Sequence, residues 1–418
     1  MTSENVTTTP DVAGAQRRVL AVLVTAQILS GAGLAAGITV GALLAEDRLG
    51  GTGLAGVPSA LFTIGSAAAA VAVGRLSQRL GRRAGLAAGY GVGALGSVGV
   101  VAAAAVDNVV LLLIALFVYG AGTATNLQAR YAGADLAEPA HRGRAVSTVL
   151  VATTLGAVVG PNLVTVMGRV ADGLGIPALA GPFILAAVAY AAAAAVLWSM
   201  LRPDPLLLAR DIDAAAGEFV SSAAGSADEE AAARTWNPSV TLGATVMVLT
   251  QLVMVAVMTM TPIHMLHHGH GTGAAGLVIA IHVAAMYLPS PLSGRLADRF
   301  GPRPVAGAAA LTMLAAGVTA AAAPAESVPA LAVALALLGL GWNFGLVSGT
   351  AIITDSVPIA TRARTQGTVD LTIAIAGAGG GLTSGMVVGA ASYGWLAILG
   401  GLVSLLIVPA LAVHARRS

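Results

Sequence analysis

Methionine and histidine are concentrated in one stretch of the chain. Four of the eleven Met and four of the seven His lie within residues 254–270, MVAVMTMTPIHMLHHGH. Two pairs share a spacing of four, Met254 with Met258 and, further along, His282 with Met286. A thioether sulfur is a soft metal ligand and an imidazole is borderline, so together they suit copper, Cu(I) above all, better than Mg²⁺ or Ca²⁺. These residue types therefore predict a copper site.

Two helices must position these pairs. Residues four apart share one face of a helix. Counted from the turn near residue 269, the four side chains differ by only about 9 Å in depth at roughly 1.5 Å per residue. Met is also a common apolar gap-filler, so the Met pair alone is more often packing. A histidine inside a membrane span is scarce and usually functional. The two pairs together favour the metal interpretation.

The composition is that of an all-α membrane protein. Of the 418 residues, 57% are hydrophobic and 10% are charged, whereas a soluble domain carries about 25% charged residues. Apolar runs of roughly 20 residues recur, and helices satisfy their own backbone hydrogen bonds in lipid. The first run, 19–44, is too long for the apolar core of a signal peptide and is expected to remain as a span. The absence of Cys excludes disulfides and thiolate metal sites.

We count 12 transmembrane helices arranged as two six-helix bundles. Only two arginines, Arg48 and Arg169, fall on the outer side if the N-terminus is internal, so the positive-inside rule predicts that both termini are cytoplasmic. The predicted divisions are a cytoplasmic N-terminal tail (1–18), an N-terminal six-helix bundle (19–201), a cytoplasmic linker (202–238), a C-terminal six-helix bundle (239–413) and a cytoplasmic tail (414–418).

The two bundles repeat at a constant offset of 220 residues. GRLSQRLGRR (74–83) matches GRLADRFGPR (294–303), and Asp135 matches Asp355. The arginines that follow match at the same offset, and we expect these acids and arginines to pair across the two bundles as a gate. An even number of helices per unit gives a parallel repeat with its axis along the membrane normal.

Both repeated loops resemble the Gly-x-Leu-Ala-Asp-Arg-x-Gly-Arg-Arg loop of the major facilitator superfamily. The resemblance covers nearly the whole chain and implies two bundles that rock about a central site. The aspartate of the family motif is Asp298 in the second copy and is replaced by Gln78 in the first, which argues against charge-based gating by the first loop. The implied gating residues are Gly74, Arg75, Arg79, Gly81, Gly294, Arg295, Asp298, Arg299 and Gly301.

The spacing of the ligand pairs resembles a narrower group, the CcoA-like copper importers. These are bacterial major facilitator proteins that supply copper to the assembly of haem–copper oxidases. The resemblance implies copper as the transported substrate, no permanently bound cofactor and a location in the cytoplasmic (inner) membrane of a bacterium. The ligands it implies are Met254, Met258, His282 and Met286.

A second group of metal-ligating side chains lies at the outer end of helix 7 and in the loop after it. It comprises His264, Met265, His267, His268 and His270. One interpretation is a capture site that passes copper inward, and the alternative is a solvated loop whose histidines need no partner.

Two features favour a different substrate. Asp370 in helix 11 is a candidate for proton coupling, although a structural ion pair with a loop arginine is the stronger alternative. The stretch GAVVGP (156–161) resembles the Gly-x-x-x-Gly-Pro motif of antiporters that export drugs. The rival hypothesis is therefore a proton-coupled exporter of small organic compounds. A copper sensor or receptor on a transporter fold is a third hypothesis.

Other classes of function find no support in the sequence. No stretch resembles a nucleotide-binding loop, so we do not expect ATP to be the direct energy source. No set of nucleophile, base and orienting residue is present, so we do not expect an enzyme. The sequence pI near 9.3 reflects cytoplasmic loops and does not predict a nucleic-acid partner. The expected partners are the copper ion and the lipid bilayer.

Overall fold

The protein is built from α-helices. The computed structural model describes residues 11–49, 56–221 and 236–416, and within these ranges no strand occurs. The helices are α1 (Val12–Leu49), α2 (Gly56–Leu80), α3 (Arg82–Ala105), α4 (Val109–Ala134), α5 (Arg142–Gly173), α6 (Gly181–Met200), α7 (Pro205–Ser221), α8 (Pro238–His267), α9 (Thr272–Tyr287), α10 (Ser290–Phe300), α11 (Pro302–Ala322), α12 (Val328–Ser356), α13 (Arg362–Ala390), α14 (Tyr393–Ser404) and α15 (Ile407–Ala415).

The helices account for most of the predicted spans. In the described part of the chain, 11 segments are long and apolar enough to cross a membrane. The predicted span 145–168 is covered by α5 but is not among those segments, so the total of twelve stays a prediction. Helix α7 lies inside the predicted linker 202–238. The all-helical fold is confirmed, while the position of the termini remains a prediction.

The eighth predicted span is two helices rather than one. Helix α9 ends at Tyr287 and α10 begins at Ser290. Pro289 and Pro291 lie at this break, and neither can donate a backbone hydrogen bond. The prolines therefore interrupt the helical hydrogen-bond pattern, and Leu288 and Pro289 form a turn. The sequence predicts one membrane span at 273–293, and the corresponding span, Gly273–Phe300, consists of two helices with a turn between them.

The two halves have cores of different character. The N-terminal half buries a group of aromatic rings, with Tyr119 packed 5.3 Å from Phe183 and 5.8 Å from Tyr190 between ring centroids. The C-terminal half buries aliphatic side chains and methionines, among them Met247 and Met313. An aliphatic core with several methionines is adaptable in shape, because Met is unbranched and has three rotatable bonds.

The halves contact each other at the end of the molecule that carries most of the arginines. Helix α2 packs on α13 and α5 packs on α10. A Cβ on Gly74 would lie 2.8 Å from the Ala363 carbonyl oxygen, and one on Gly294 would lie 2.4 Å from the Gly143 carbonyl oxygen. Position 74 corresponds to 294, and 143 to 363, at the offset of 220. The structure therefore confirms the repeat, and small residues permit both close contacts.

Candidate substrate site and gate

His282 lies on α9 and its side chain is wholly buried. Its Nδ1 lies 2.8 Å from the backbone carbonyl oxygen of Leu335 on α12. A carbonyl oxygen can only accept, so Nδ1 carries the hydrogen and donates it. In the neutral ring the lone pair is then on Nε2, and Nε2 has no hydrogen-bond partner among the described residues. A metal-binding imidazole is typically held in this way by its other nitrogen.

The methionines of the predicted set share one apolar cluster. Met254 and Met286 are 6% and 8% exposed and belong to the buried core of the C-terminal half. Met258 is half-buried and packs against the same core. Met286 follows His282 by one helical turn on α9. All three methionines therefore belong to the extended apolar core of the C-terminal half, and the buried imidazole of His282 lies one helical turn from Met286 on α9.

Helix α12 links the two ligand-bearing helices, because it packs on both α8 and α9. Trp342 of α12 donates from Nε1 to Gln251 Oε1 of α8 at 2.7 Å. The Trp342 ring also lies edge-on to Tyr287 of α9, with 5.8 Å between centroids. Helices α8 and α9 also pack on each other directly, so α12 completes a group of three mutually packed helices.

Among the described residues no group of three or more His, Asp or Glu side chains is arranged to hold a metal ion. An ion bound beside His282 would therefore depend on thioether sulfur and one imidazole nitrogen. Such a neutral, soft ligand set discriminates against Mg²⁺ and Ca²⁺, which prefer oxygen.

The outer group of predicted ligands is divided in the structure. The rings of His264 and His268 lie 4.3 Å apart, and His264 also stacks on Tyr393 at 4.4 Å. His270 Nε2 is 2.8 Å from the carbonyl oxygen of Ala325, so it donates to the loop between α11 and α12.

Met265 does not lie at the surface with this outer group. Its side chain is wholly buried in the core of the C-terminal half, while His267 and His268 are exposed. A capture site would therefore consist mainly of His264 and His268, whose rings lie next to each other. The capture role itself stays a prediction.

The two predicted gating loops each bind the N-terminus of a helix in the opposite half. Asp298 accepts hydrogen bonds from the backbone N–H groups of Gly143 at 2.7 Å and Arg144 at 3.1 Å. Gln78 Oε1 accepts from the N–H groups of Ala363 at 2.7 Å and Arg364 at 3.2 Å. The amide therefore occupies the place of the missing aspartate.

Gln78 also makes contacts that an aspartate could not make. Its Nε2 donates to the carbonyl oxygens of Ala360 at 2.7 Å and Ile359 at 3.3 Å. The substitution argues against charge-based gating by the first loop, and the loop nevertheless retains the helix contact through a neutral amide that donates two further bonds. We call the Gln78 and Asp298 contacts the neutral latch and the charged latch.

The remaining gating residues shape the two loops. Gly81 and Gly301 have φ values of 91° and 86°, a backbone conformation that favours glycine, and each ends one helix and precedes the next. The motif arginines are exposed at the same end of the molecule as the latches: Arg75, Arg79, Arg295 and Arg299.

The expected pairs of acids and arginines between the halves are present. Arg142 forms an ion pair with Asp355, and Arg362 lies 3.9 Å from Asp135. Asp135 also binds Arg82 of its own half at 2.7 Å, and that guanidinium reaches Gln366 of α13. The two related pairs confirm that the repeat extends to these contacts.

Asp370 has a different partner from the expected one. It pairs with Arg130 of α4 at 2.7 Å, and both side chains are buried. Arg130 also donates to Thr350 at 3.0 Å and to Tyr131 at 2.9 Å. The prediction of a loop arginine was therefore wrong, because a buried guanidinium from the other half reaches the carboxylate. Asp370 Oδ2 has no partner among the described residues.

A buried polar network in the N-terminal half was not foreseen. Gln27 Nε2 donates to Thr153 at 3.0 Å and to the carbonyl of Asn126 at 3.1 Å, while Tyr90 donates to Gln27 Oε1 at 2.7 Å. Asn126 also donates to Ser30 at 2.9 Å. Every polar group of Gln27 is paired, so this network stabilises the bundle. Polar residues inside apolar spans were its only signal in the sequence.

Comparison with known proteins identifies the family. A model of the Major Facilitator Superfamily matches residues 23–288 and 243–418. The chain belongs to the major facilitator superfamily. It is therefore a multi-pass membrane transporter and not an enzyme. The side chains of residues 157–162, which carry most of the GAVVGP motif, lie outside the described part of the chain.

Individual relatives within the superfamily are similar over most of the chain. The MFS-type transporter YdeG of Bacillus subtilis is 58% identical over 393 residues, covering 94% of this chain and 91% of YdeG. The riboflavin transporter RfnT of Brucella anthropi is 32% identical over 365 residues, covering 86% of each chain. The crystal structure of the human organic anion transporter MFSD10 superposes with a TM-score of 0.73 at 17% identity, covering 95% and 99% of the two chains. That likeness concerns the fold.

Proposed function

We propose that this major facilitator protein imports copper ions into the cytoplasm by alternating access. The ligands would be Met254, Met258, His282 and Met286, and the copper ion would be a transported substrate and not a resident cofactor. The inner membrane of a bacterium is the proposed location, with cytoplasmic termini.

The geometry of His282 carries this proposal. One nitrogen of the buried imidazole is held by the Leu335 carbonyl, and the other has no hydrogen-bond partner among the described residues. An unsatisfied buried polar atom lowers stability, so a functional role such as metal binding explains its presence. Met286, one turn further on, supplies a sulfur beside it. Neutral ligands also suit a site that must release its ion, since thiolates would bind copper more tightly.

The test is uptake of radioactive copper by cells whose own importer has been deleted. Met254→Leu and Met286→Leu remove sulfur while nearly keeping side-chain volume, which such swaps tolerate well. Met313→Leu is the matched control, because Met313 is buried in the same core but lies outside the ligand set. We expect the control to retain uptake and the two ligand variants and His282→Ala to lose most of it.

A second candidate substrate is an organic compound. It is favoured by the 32% identity to a riboflavin transporter and by the aromatic pair Tyr287 and Trp342 between α9 and α12. The same cells, tested with labelled riboflavin, distinguish the two. Accumulation of riboflavin by both Met→Leu variants, with no copper uptake by the wild type, would refute the copper proposal and favour the organic substrate.

A further inference from the structure

Helix α12 contacts the His282–Met286 pair at three positions that share one face. Leu335, Gly339 and Asn343 are spaced four residues apart, so they form a line along α12. Leu335 accepts the hydrogen bond from His282. The other two members of the line contact the backbone of α9.

Gly339 permits close approach of the two helices. A Cβ at this position would lie 2.5 Å from the carbonyl oxygen of His282 and 3.0 Å from the backbone nitrogen of Met286. The first distance is shorter than any real contact of such an atom and involves backbone, which cannot rotate away. A side chain at 339 would therefore push α9 from α12 at the residues that carry the ligands.

Asn343 holds the end of α9 where the prolines interrupt the helix. Its Nδ2 donates to the Met286 carbonyl oxygen and to Ser290 Oγ, both at 2.7 Å. Its Oδ1 accepts from Ser293. Asn343 is wholly buried and Met286 is nearly so. The bond from the Asn343 side-chain amide therefore satisfies the Met286 carbonyl oxygen at the break and fixes the last turn of α9.

We infer that Gly339 and Asn343 are positioning residues that set the geometry of the His282–Met286 pair. Leu335 orients the imidazole, Gly339 sets the distance between the helices and Asn343 fixes the backbone of Met286. This role deepens the proposed function, because a soft-ion site needs its nitrogen and sulfur at a fixed separation. Neither residue contacts the ion in this arrangement.

The first arm of the test does not use copper. The chain has no native cysteine, so Met286→Cys supplies a single thiol whose reaction rate with N-ethylmaleimide reports the position of residue 286. Asn343→Asp keeps the size of the side chain but removes the donor to the Met286 carbonyl, and Asn343→Ala and Gly339→Ala are companion variants. Asn126→Ala is the control, because Asn126 is a buried and hydrogen-bonded amide on α4.

We expect the thiol rate to rise about tenfold or more in the three α12 variants. The two Asn343 changes remove one or two hydrogen bonds that hold the end of α9, and Gly339→Ala forces the backbone of α9 away from α12. The control should react within about twofold of the parent, because Asn126 lies in the N-terminal half and shares no hydrogen-bond partner with Met286. Folding is checked by size-exclusion chromatography. If every folded α12 variant reacts like the parent, the positioning role is refuted.

The second arm measures copper uptake by the same α12 variants with Met286 restored. A raised KM with little change in the amount of folded protein supports a positioning role. If the α12 variants change the thiol rate but the wild-type protein takes up no copper, the positioning role stands and the proposed function is refuted. If the thiol rate is unchanged but the wild-type protein takes up copper, the positioning role alone is refuted.

Discussion

The charged latch offers a quantitative test of how the halves are held together. In the structure each carboxylate oxygen of Asp298 accepts from one N–H at the start of α5, and Arg144 Nε lies 3.6 Å from the same carboxylate. Asp298→Asn keeps the shape, removes the charge and turns an NH₂ group toward one of the two donors. The side chain of Asp298 is 6% exposed, so water and salt screen these contacts only weakly.

The expected effect follows from the difference between charged and neutral hydrogen bonds. Bonds to a charged group contribute about 1.5–3 kcal/mol and neutral ones about 0.5–1.5 kcal/mol. Two such bonds therefore lose about 2 kcal/mol together, partly because a negative charge at a helix N-terminus is itself favourable. At about 1.4 kcal/mol per factor of ten, the population with separated halves should rise about 30-fold.

A single cysteine at the interface reports that population. Ser147 is wholly buried, and a Cβ on Gly294 of the opposite half would lie 2.2 Å from its hydroxyl oxygen. Ser147→Cys should therefore react with a thiol reagent only when the halves separate. In lipid nanodiscs, where both faces are accessible, Asp298→Asn in this background should raise the labelling rate by about 30-fold.

Two comparisons make this result decisive. Ser199→Cys reports on an exposed position of the same half, and its labelling rate should not change with Asp298→Asn. A labelling rate at Ser147→Cys that stays within about twofold of the parent would refute the idea that the charge of Asp298 holds this interface closed.

Three further predictions use the same preparations. Gln78→Asp restores the aspartate of the family motif, yet it should increase the labelling rate of Ser147→Cys. It removes two donated bonds and turns a carboxylate toward two carbonyl oxygens. A decreased labelling rate would contradict the role of the neutral latch. Arg130→Met or Asp370→Asn alone should each lower the free energy of unfolding by about 3–5 kcal/mol, because each leaves one partner of a buried ion pair unpaired. Arg130→Met combined with Asp370→Leu should recover part of that loss. A thermal-unfolding assay measures both effects. Tyr90→Phe should cost about 1–2 kcal/mol of stability through the lost bond to Gln27 yet retain substrate uptake; loss of uptake at full expression would assign the network to the transport path.

Much of the fold was predictable because its causes are local or repeated. Apolar runs indicate the spans, and the constant offset of 220 residues predicts that Gly74 and Gly294 are counterparts and that the acids and arginines pair between the halves. That offset also marked Gln78 as the counterpart of Asp298. The sequence interpretation took the change only as evidence against charge-based gating, because the motif alone does not indicate that an amide can accept from a helix N-terminus and also donate to the neighbouring loop.

The candidate site was predictable only in its residue types. The partner of His282 is the backbone carbonyl of Leu335, and an apolar side chain gives no sign of the acceptor beneath it. The Arg130–Asp370 pair joins residues in different halves, and only the packing of α4 against α13 brings them together. Such contacts depend on the rotation of each helix about its axis, which the spacing of apolar residues does not determine when a helix is apolar on most sides.

The break between α9 and α10 lies between the proposed ligand Met286 and the charged latch, so both are on one piece of chain. Met286 ends the outer segment, and Gly294 and Asp298 lie on the inner segment that contacts α5. Gly294 follows Met286 by eight residues, with the turn at Leu288 and Pro289 between them. An ion that draws the Met286 side chain toward His282 would change the angle between α9 and α10 at the prolines. Occupancy of the proposed site would then reach the charged latch through α10, which carries Asp298.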